Sequence, residues 1–147
     1  SAMLSACCSD NEVLGFRSKR EGIGNILHID TEQGYKHYYR SSTNIYTQAG
    51  FDVSSPPDWF YSFETRDAES ITFRRQFIKY CIEKIKPSVV LIDGVSDIVL
   101  NVNDIEESSD IIQELMKLSS DYNCLIILVI HSTQGSNKAF GHTGTFG

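Results

Sequence analysis

The sequence lacks the features that mark several classes of protein. Its four cysteines show no C-x-x-C spacing and no nearby histidine cluster, and Cys81 and Cys124 lie in apolar contexts where a free thiol acts as a small hydrophobe. No apolar run approaches the roughly 20 residues needed to span a bilayer, and the first ten residues have no charged segment ahead of a long apolar one. We therefore expect a cytoplasmic chain with no membrane partner.

An excess of positive charge is also missing. The net charge of the 147 residues is −6, so the domain as a whole has no electrostatic footprint for nucleic acid. Contact with DNA would need a local basic patch or neighbouring protomers. There is no internal repeat, low-complexity tract or linker, and 41% of the residues are hydrophobic, which predicts one domain over residues 1–147 with one core of ordinary size.

Apolar runs and apolar stripes alternate along the chain. Helical spacing of apolar residues predicts a helix over 67–86, closed by Pro87, and another that contains residues 111–118; residues 2–8 resemble the tail of a helix. Continuous apolar or aromatic runs predict strands over 26–29, 59–64, 88–93 and 124–130. The alternation predicts an α/β fold in which helices flank a parallel sheet.

Polar residues follow three of these strands at the point where each one ends. The first strand runs into Asp30 and Glu32, the third into Asp93 and the last into His131. In a parallel sheet these ends share one edge, where α/β proteins bind ligands. An apolar strand that ends on aspartate, as in "VVLID", is how phosphate-processing enzymes hold a carboxylate beside magnesium. A plainer interpretation is that Asp30 and Glu32 are solvated or cap the following helix.

Three segments resemble those of RecA-like P-loop ATPases. "ILHIDTEQ" resembles their strand that ends on the water-activating glutamate, "VVLIDGVSDI" their Walker B strand, and "LIILVIHSTQG" the strand before the γ-phosphate sensor. Their order and spacing also match, and the resemblance extends from about Ala6 to the end of the chain. Plasmid replication and mobilisation ATPases of the RepA or DnaB-like type are the most similar.

The resemblance implies a role for each matching residue. Glu32 would be the catalytic base, Asp93 would bind Mg²⁺, and His131 would contact the γ-phosphate of ATP. Lys138 and His142, in a glycine-rich loop, are candidates for DNA contact. The parent protein would then bind ATP, Mg²⁺ and single-stranded DNA, act as a helicase-type motor, and form a homo-oligomer. Asp30 we interpret as structural and Asp97 as a cap or surface charge.

One motif of the family is missing. The chain contains no G-x-x-x-x-G-K-[ST], the loop that holds a triphosphate. Family order would put that loop just before residue 1, so we interpret the chain as part of a longer ATPase without its first strand, and expect it to be inactive by itself.

Two other functions remain open. A RecA-like protein-interaction module without catalysis could use the acidic edge or the aromatic residues 59–61 for protein contacts. A metal-dependent hydrolase could use Asp30, Glu32, Asp93 and His131 as an oxygen-rich metal site.

The resemblance also predicts a strand order, with 59–64 outermost, then 26–29, 88–93 and 124–130. A phosphate-loop strand would pair beside 124–130, so its absence would leave an apolar edge open. We expect this edge to mediate self-association or to be covered by residues 132–147.

Overall fold

Four parallel strands form the centre of the computed structural model, which describes residues 2–99 and 105–130. The strands are β1 (Asn25–Asp30), β2 (Phe60–Glu64), β3 (Pro87–Asp93) and β4 (Leu125–Val129). The helices are α1 (Ala2–Cys7), α2 (Tyr35–Thr47), α3 (Ile71–Ile85) and α4 (Ile105–Tyr122), and a short 3₁₀ helix spans Val95–Ile98. The α/β fold and the helical start of the chain are therefore confirmed.

The strands lie in the order β2-β1-β3-β4, the order that the resemblance implies. All three pairings are parallel. β1 is thus central, with β2 on one side and β3 on the other. At the carboxyl end of the sheet, Asp30 lies opposite Glu64 of β2 and opposite Asp93 of β3. Three acidic residues of adjacent strands therefore lie at the same level of the sheet.

Both faces of the sheet are covered, which explains why most residues of its central strands are apolar. On one face Leu27, Ile29, Val90 and Ile92 pack with residues of α3 and α4, among them Ile78, Ile82, Ile111 and Leu115. On the other face Ile26, Val89 and Leu91 pack with Leu4 of α1, with Ile45 of α2 and with Ala49, which follows α2. Cys81 and Cys124 are buried free thiols, as expected.

The third helix is shorter than the predicted range 67–86. It begins after Ser70, whose side chain accepts a hydrogen bond from the backbone N–H of Phe73 and so caps the helix. It ends at Ile85 because Lys86 adopts a left-handed conformation, with φ of 50°, and Pro87 begins the next strand.

Within the described residues, no helix combines the length and the apolar character that crossing a bilayer requires.

Candidate functional site

The carboxyl end of the sheet brings together the acidic ends of three strands. Residues that pair across parallel strands project to the same face, so Glu64, Asp30 and Asp93 lie side by side on the α1–α2 face. Sequence reasoning singled out Asp30 and Asp93 and missed Glu64. The signal was present, because β1 and β2 both end with an acid followed by threonine, "DT" and "ET".

Asp30 is completely buried at the end of β1. Its Oδ1 accepts hydrogen bonds from the backbone N–H groups of Glu32 and Gln33 at 3.1 and 2.8 Å, whereas its Oδ2 has no hydrogen-bond partner among the described residues. Burial raises the pKa of this carboxyl group, and the two backbone hydrogen bonds oppose the rise. The interpretation of Asp30 as solvated is therefore wrong, and Gly34, not Asp30, is the N-cap of α2.

Glu32 is exposed, two residues beyond the strand. The hydrogen bond from its backbone N–H to Asp30 fixes the direction in which the chain leaves β1. Asp30 thus organises the turn that carries Glu32, which agrees with the structural role predicted for Asp30.

Thr31 joins this turn to the segment after β3. Its backbone N–H donates to the carbonyl of Asp93 at 2.6 Å. Its buried hydroxyl accepts from the N–H of Gly94 at 3.1 Å and lies 2.6 Å from the Gly94 carbonyl and 3.2 Å from Oδ2 of Asp97. One hydroxyl proton can serve only one of the last two acceptors at a time. Asp97 is thus a half-buried partner of this junction rather than a surface charge.

Thr65 and Arg74 make a second junction between neighbouring strands. The backbone N–H of Thr65 donates to the carbonyl of Asp30 at 2.8 Å, as that of Thr31 does to Asp93. The guanidinium of Arg74, on α3, donates to the carbonyls of Thr65, Arg66 and Asp97 at 2.9, 2.6 and 3.2 Å. The three strand ends are consequently fixed relative to one another by hydrogen bonds, most of them to backbone groups.

A buried histidine lies beneath this edge. His28 of β1 forms a 2.9 Å hydrogen bond between its Nδ1 and the hydroxyl of Ser62, and its ring stacks on Tyr38 with centroids 6.3 Å apart. Burial lowers the pKa of His28 to about 4, against the opposing effect of the Asp93 carboxylate. The imidazole is therefore neutral near pH 7. Sequence reasoning missed His28, although a histidine within an apolar run was a visible signal.

The structure brings only some of the predicted site residues together. Asp93 ends β3, and Glu32 follows the adjacent end of β1 by two residues; a backbone hydrogen bond from Thr31 to Asp93 joins the two segments. His131, Lys138 and His142 lie outside the described residues.

The edge offers the type of donor atom that Mg²⁺ prefers, but it does not offer a complete set of protein ligands among the described residues. Its donors are carboxylate and hydroxyl oxygens, which suit Mg²⁺, and the Oδ2 atom of Asp30 is a buried acceptor without a partner in the described part of the chain. Among the described residues, no three histidine, cysteine, aspartate or glutamate side chains form a group that could hold a metal ion. Magnesium in nucleotide sites needs no such group, since it uses one or two carboxylates together with phosphates and water.

No family model and no curated protein matches this chain. The RecA-like assignment therefore stays a prediction that depends on the residues of the chain itself.

Proposed function

We propose that this chain is part of a RecA-like ATPase that couples ATP hydrolysis to a DNA transaction in replication or mobilisation. The observation that supports the proposal best is the parallel pairing of β1 with β3, in which Asp30 lies opposite Asp93. Glu32 follows the first of these strand ends by two residues, and Thr31 bonds the backbone at the second. A base and a metal-binding carboxylate on neighbouring strand ends suit phosphoryl transfer to water.

Each residue would have a distinct part in the reaction. Glu32 is exposed, so it can reach a water molecule and accept the proton of that water as it attacks the terminal phosphate. Asp93 would hold Mg²⁺, directly or through water, and the bound ion would neutralise charge on the phosphates. His131 would donate a hydrogen bond to a γ-phosphate oxygen. The hydrogen bonds of Thr31 would keep the base and the metal-binding carboxylate in register.

The phosphate-binding part of the site must come from outside these residues. The 147-residue sequence has no G-x-x-x-x-G-K-[ST], so the proposal requires a longer parent protein that contains this loop. We expect the isolated chain to bind ATP weakly and not to hydrolyse it.

The alternative without catalysis gains little support from residues 59–61, which it could use for protein contacts. Trp59 packs edge-on against Phe51 and lies under the guanidinium of Arg20, 3.8 Å from the ring centroid. Phe60 contacts Tyr46 in the same edge-on way. Both rings are thus half-buried and held by contacts within the fold.

The experiment that tests the proposal is ATP hydrolysis by a parent protein that contains both this chain and a phosphate loop. Glu32→Gln should abolish turnover and leave ATP binding unchanged, because it removes the base and leaves the phosphate cradle intact. Asp93→Asn should weaken the Mg²⁺-dependent part of ATP binding. Single-turnover hydrolysis and calorimetric titration measure these two effects separately.

Glu114→Gln is the matched control, because Glu114 is an exposed acid of α4, a helix that packs on the face of the sheet opposite to Asp30 and Asp93. It should hydrolyse ATP at the wild-type rate. Wild-type turnover in Glu32→Gln would overturn the role of Glu32, and tight ATP binding by the isolated 147-residue chain would overturn the requirement for an external phosphate loop.

A further inference from the structure

The first two turns of α2 carry an unusual set of side chains. Residues 35–40 read "YKHYYR", and no acidic residue occurs between Gln33 and Phe51, in a chain whose net charge is −6. Cations near the amino end of a helix oppose its dipole, and here the first turn contains Lys36 and no acid. The N-cap, Gly34, contributes no side-chain hydrogen bond. These residues thus contribute little to the stability of the helix, which suggests that they have a functional role instead.

The helix divides its aromatic residues between the core and the solvent. Tyr38 turns inward and stacks on His28, which anchors this part of α2 to the sheet. Tyr35 and Tyr39, one turn apart, remain 71% and 50% exposed, and their ring centroids are 6.3 Å apart. Because residues four apart lie on the same side of a helix, the two rings form a continuous exposed row.

A row of positive charge lies beside the aromatic row. Lys36 and Arg40 each follow one of the two tyrosines, are exposed, and form no ion pair with the residues that the structure describes. Arg66 adds a third exposed cation near the start of the helix, since a Cβ atom at Gly34 would lie 3.2 Å from its Nη1. We call Tyr35, Lys36, Tyr39, Arg40 and Arg66 the α2 patch.

We infer that the α2 patch binds single-stranded DNA. Exposed rings next to cations are the combination that such strands require, because bases stack on aromatic side chains while cations neutralise the phosphates. Double-stranded DNA offers no free base faces to the rings, and an acidic protein would use the cations but not the stacking. The inference rests on the proposed function only for the choice of DNA as partner. Beyond that function, it assigns a DNA-binding surface, the α2 patch, to a helix that begins three residues after Glu32.

The test is fluorescence anisotropy of a labelled oligothymidylate of about 15 nucleotides, titrated with the full chain in the absence of ATP. Tyr35→Ala with Tyr39→Ala should weaken binding by about ten-fold or more, since stacking contributes strongly for each base. Tyr35→Phe with Tyr39→Phe should bind as the wild type does, because the ring faces remain. A strand of the same length without bases should bind wild type and the alanine variant equally.

The contribution of Lys36 and Arg40 is measured separately, by the salt dependence of binding. Lys36→Gln with Arg40→Gln should reduce the slope of log affinity against log salt by roughly 0.7 for each phosphate that the variant no longer neutralises. Tyr80→Ala with Lys84→Gln is the matched control, because these residues form a similar exposed tyrosine–cation pair on α3, with the ammonium 5.8 Å from the ring centroid. This control should bind oligothymidylate with wild-type affinity and salt dependence.

Three results would overturn the inference. They are absence of binding by the wild-type chain at low salt, loss of affinity in the α3 control equal to that in the α2 variants, and binding of polyglutamate in preference to oligothymidylate. Because the binding assay contains no ATP, each of these results is independent of the outcome for Glu32→Gln, so failure of the DNA surface and failure of the ATPase proposal can be told apart.

Discussion

At the scale of single residues, the pH dependence of stability should reveal the buried histidine. The pKa of His28 is about 4 in the folded chain because the ring is buried, and the ordinary value is 6.5. Below pH 6.5 the unfolded chain therefore takes up a proton that the folded chain does not accept until about pH 4. The free energy of unfolding should fall over this range, by roughly 3 kcal/mol at pH 4.

Urea unfolding between pH 7 and pH 4.5 checks this expectation. His28→Gln should show a shallower decline than the wild type, whereas His37→Gln, a change at an exposed histidine of α2, should keep the full decline. Asp30 acts with the opposite sign, because its raised pKa makes the folded chain bind a proton more readily than the unfolded chain does. Asp30 is unchanged in both variants. A wild-type decline in His28→Gln would show that this histidine is not the source of the pH dependence.

Residue types at strand ends were readable from the sequence, but their contacts were not. Glu32 and Asp93 could be selected because each follows an apolar run that ends at the ligand-binding edge of a parallel sheet. The sequence could not predict that Thr31 forms hydrogen bonds through both its backbone N–H and its hydroxyl. The hydroxyl bonds the backbone of Gly94, which is 63 positions further along the chain. Glu64 was missed for the same reason, because its place beside Asp30 depends on the register between two separate strands.

At the scale of elements, the residues that follow α3 and α4 share a left-handed backbone conformation but differ in how well their side chains tolerate it. Lys86, after α3, has φ of 50° and ψ of 58°, a conformation that costs an ordinary L-residue about 1–2 kcal/mol. Its N–H bonds the carbonyl of Ile82, so the conformation serves to close the helix. Asn123, after α4, has a similar φ of 48°, but asparagine tolerates this region better.

Glycine substitutions should therefore have unequal effects at these two positions. Lys86→Gly should raise the free energy of unfolding by about 0.5–1 kcal/mol, because glycine adopts positive φ without strain and the side chain of Lys86 is exposed. Asn123→Gly, the matched change, should gain less. The urea midpoints at constant m-value measure both gains. An equal gain at both positions would mean that strain at Lys86 is not the cause.

The same comparison explains why the sequence predicted the existence of the elements better than their limits. The apolar positions from Phe73 to Ile85 predicted a helix over 67–86, but the cap at Ser70 and the left-handed residue at Lys86 decide where α3 begins and ends. These signals are single residues, so they are weaker than a stripe that recurs over several turns.

At the scale of the whole molecule, the resemblance to RecA-like ATPases predicted the strand order, which periodicity alone cannot do. Apolar runs identify strands but carry no information about which strands pair. The observed order β2-β1-β3-β4 agrees with the order that the resemblance implies, and this agreement extends over every described strand. The assignment of ATP, Mg²⁺ and DNA still depends on the experiments above.

The β4 edge of the sheet formed by the described strands is the remaining feature at this scale. Within the described residues β4 pairs only with β3, and Leu125 on β4 is 57% exposed. An apolar groove runs between β4 and α4, lined by Ile112, Leu115, Met116, Leu125 and Leu128 among others. Unpaired strands without charge or proline tend to pair with another chain. The prediction made from the resemblance is either self-association through β4 or coverage of this edge by residues 132–147, which lie outside the described residues.

Light scattering after gel filtration, combined with hydrogen exchange, distinguishes these outcomes. If β4 pairs between copies, Leu125→Lys should lower the mass to that of a monomer, because it places a charge on the pairing edge. Leu14→Lys, at a large apolar residue that is 78% exposed elsewhere on the surface, should leave the mass unchanged. If residues 132–147 cover the edge, the wild type should be monomeric with slow exchange of the amides of β4. A monomer in which these amides exchange freely would contradict both outcomes and the inferred need for a further strand beside β4.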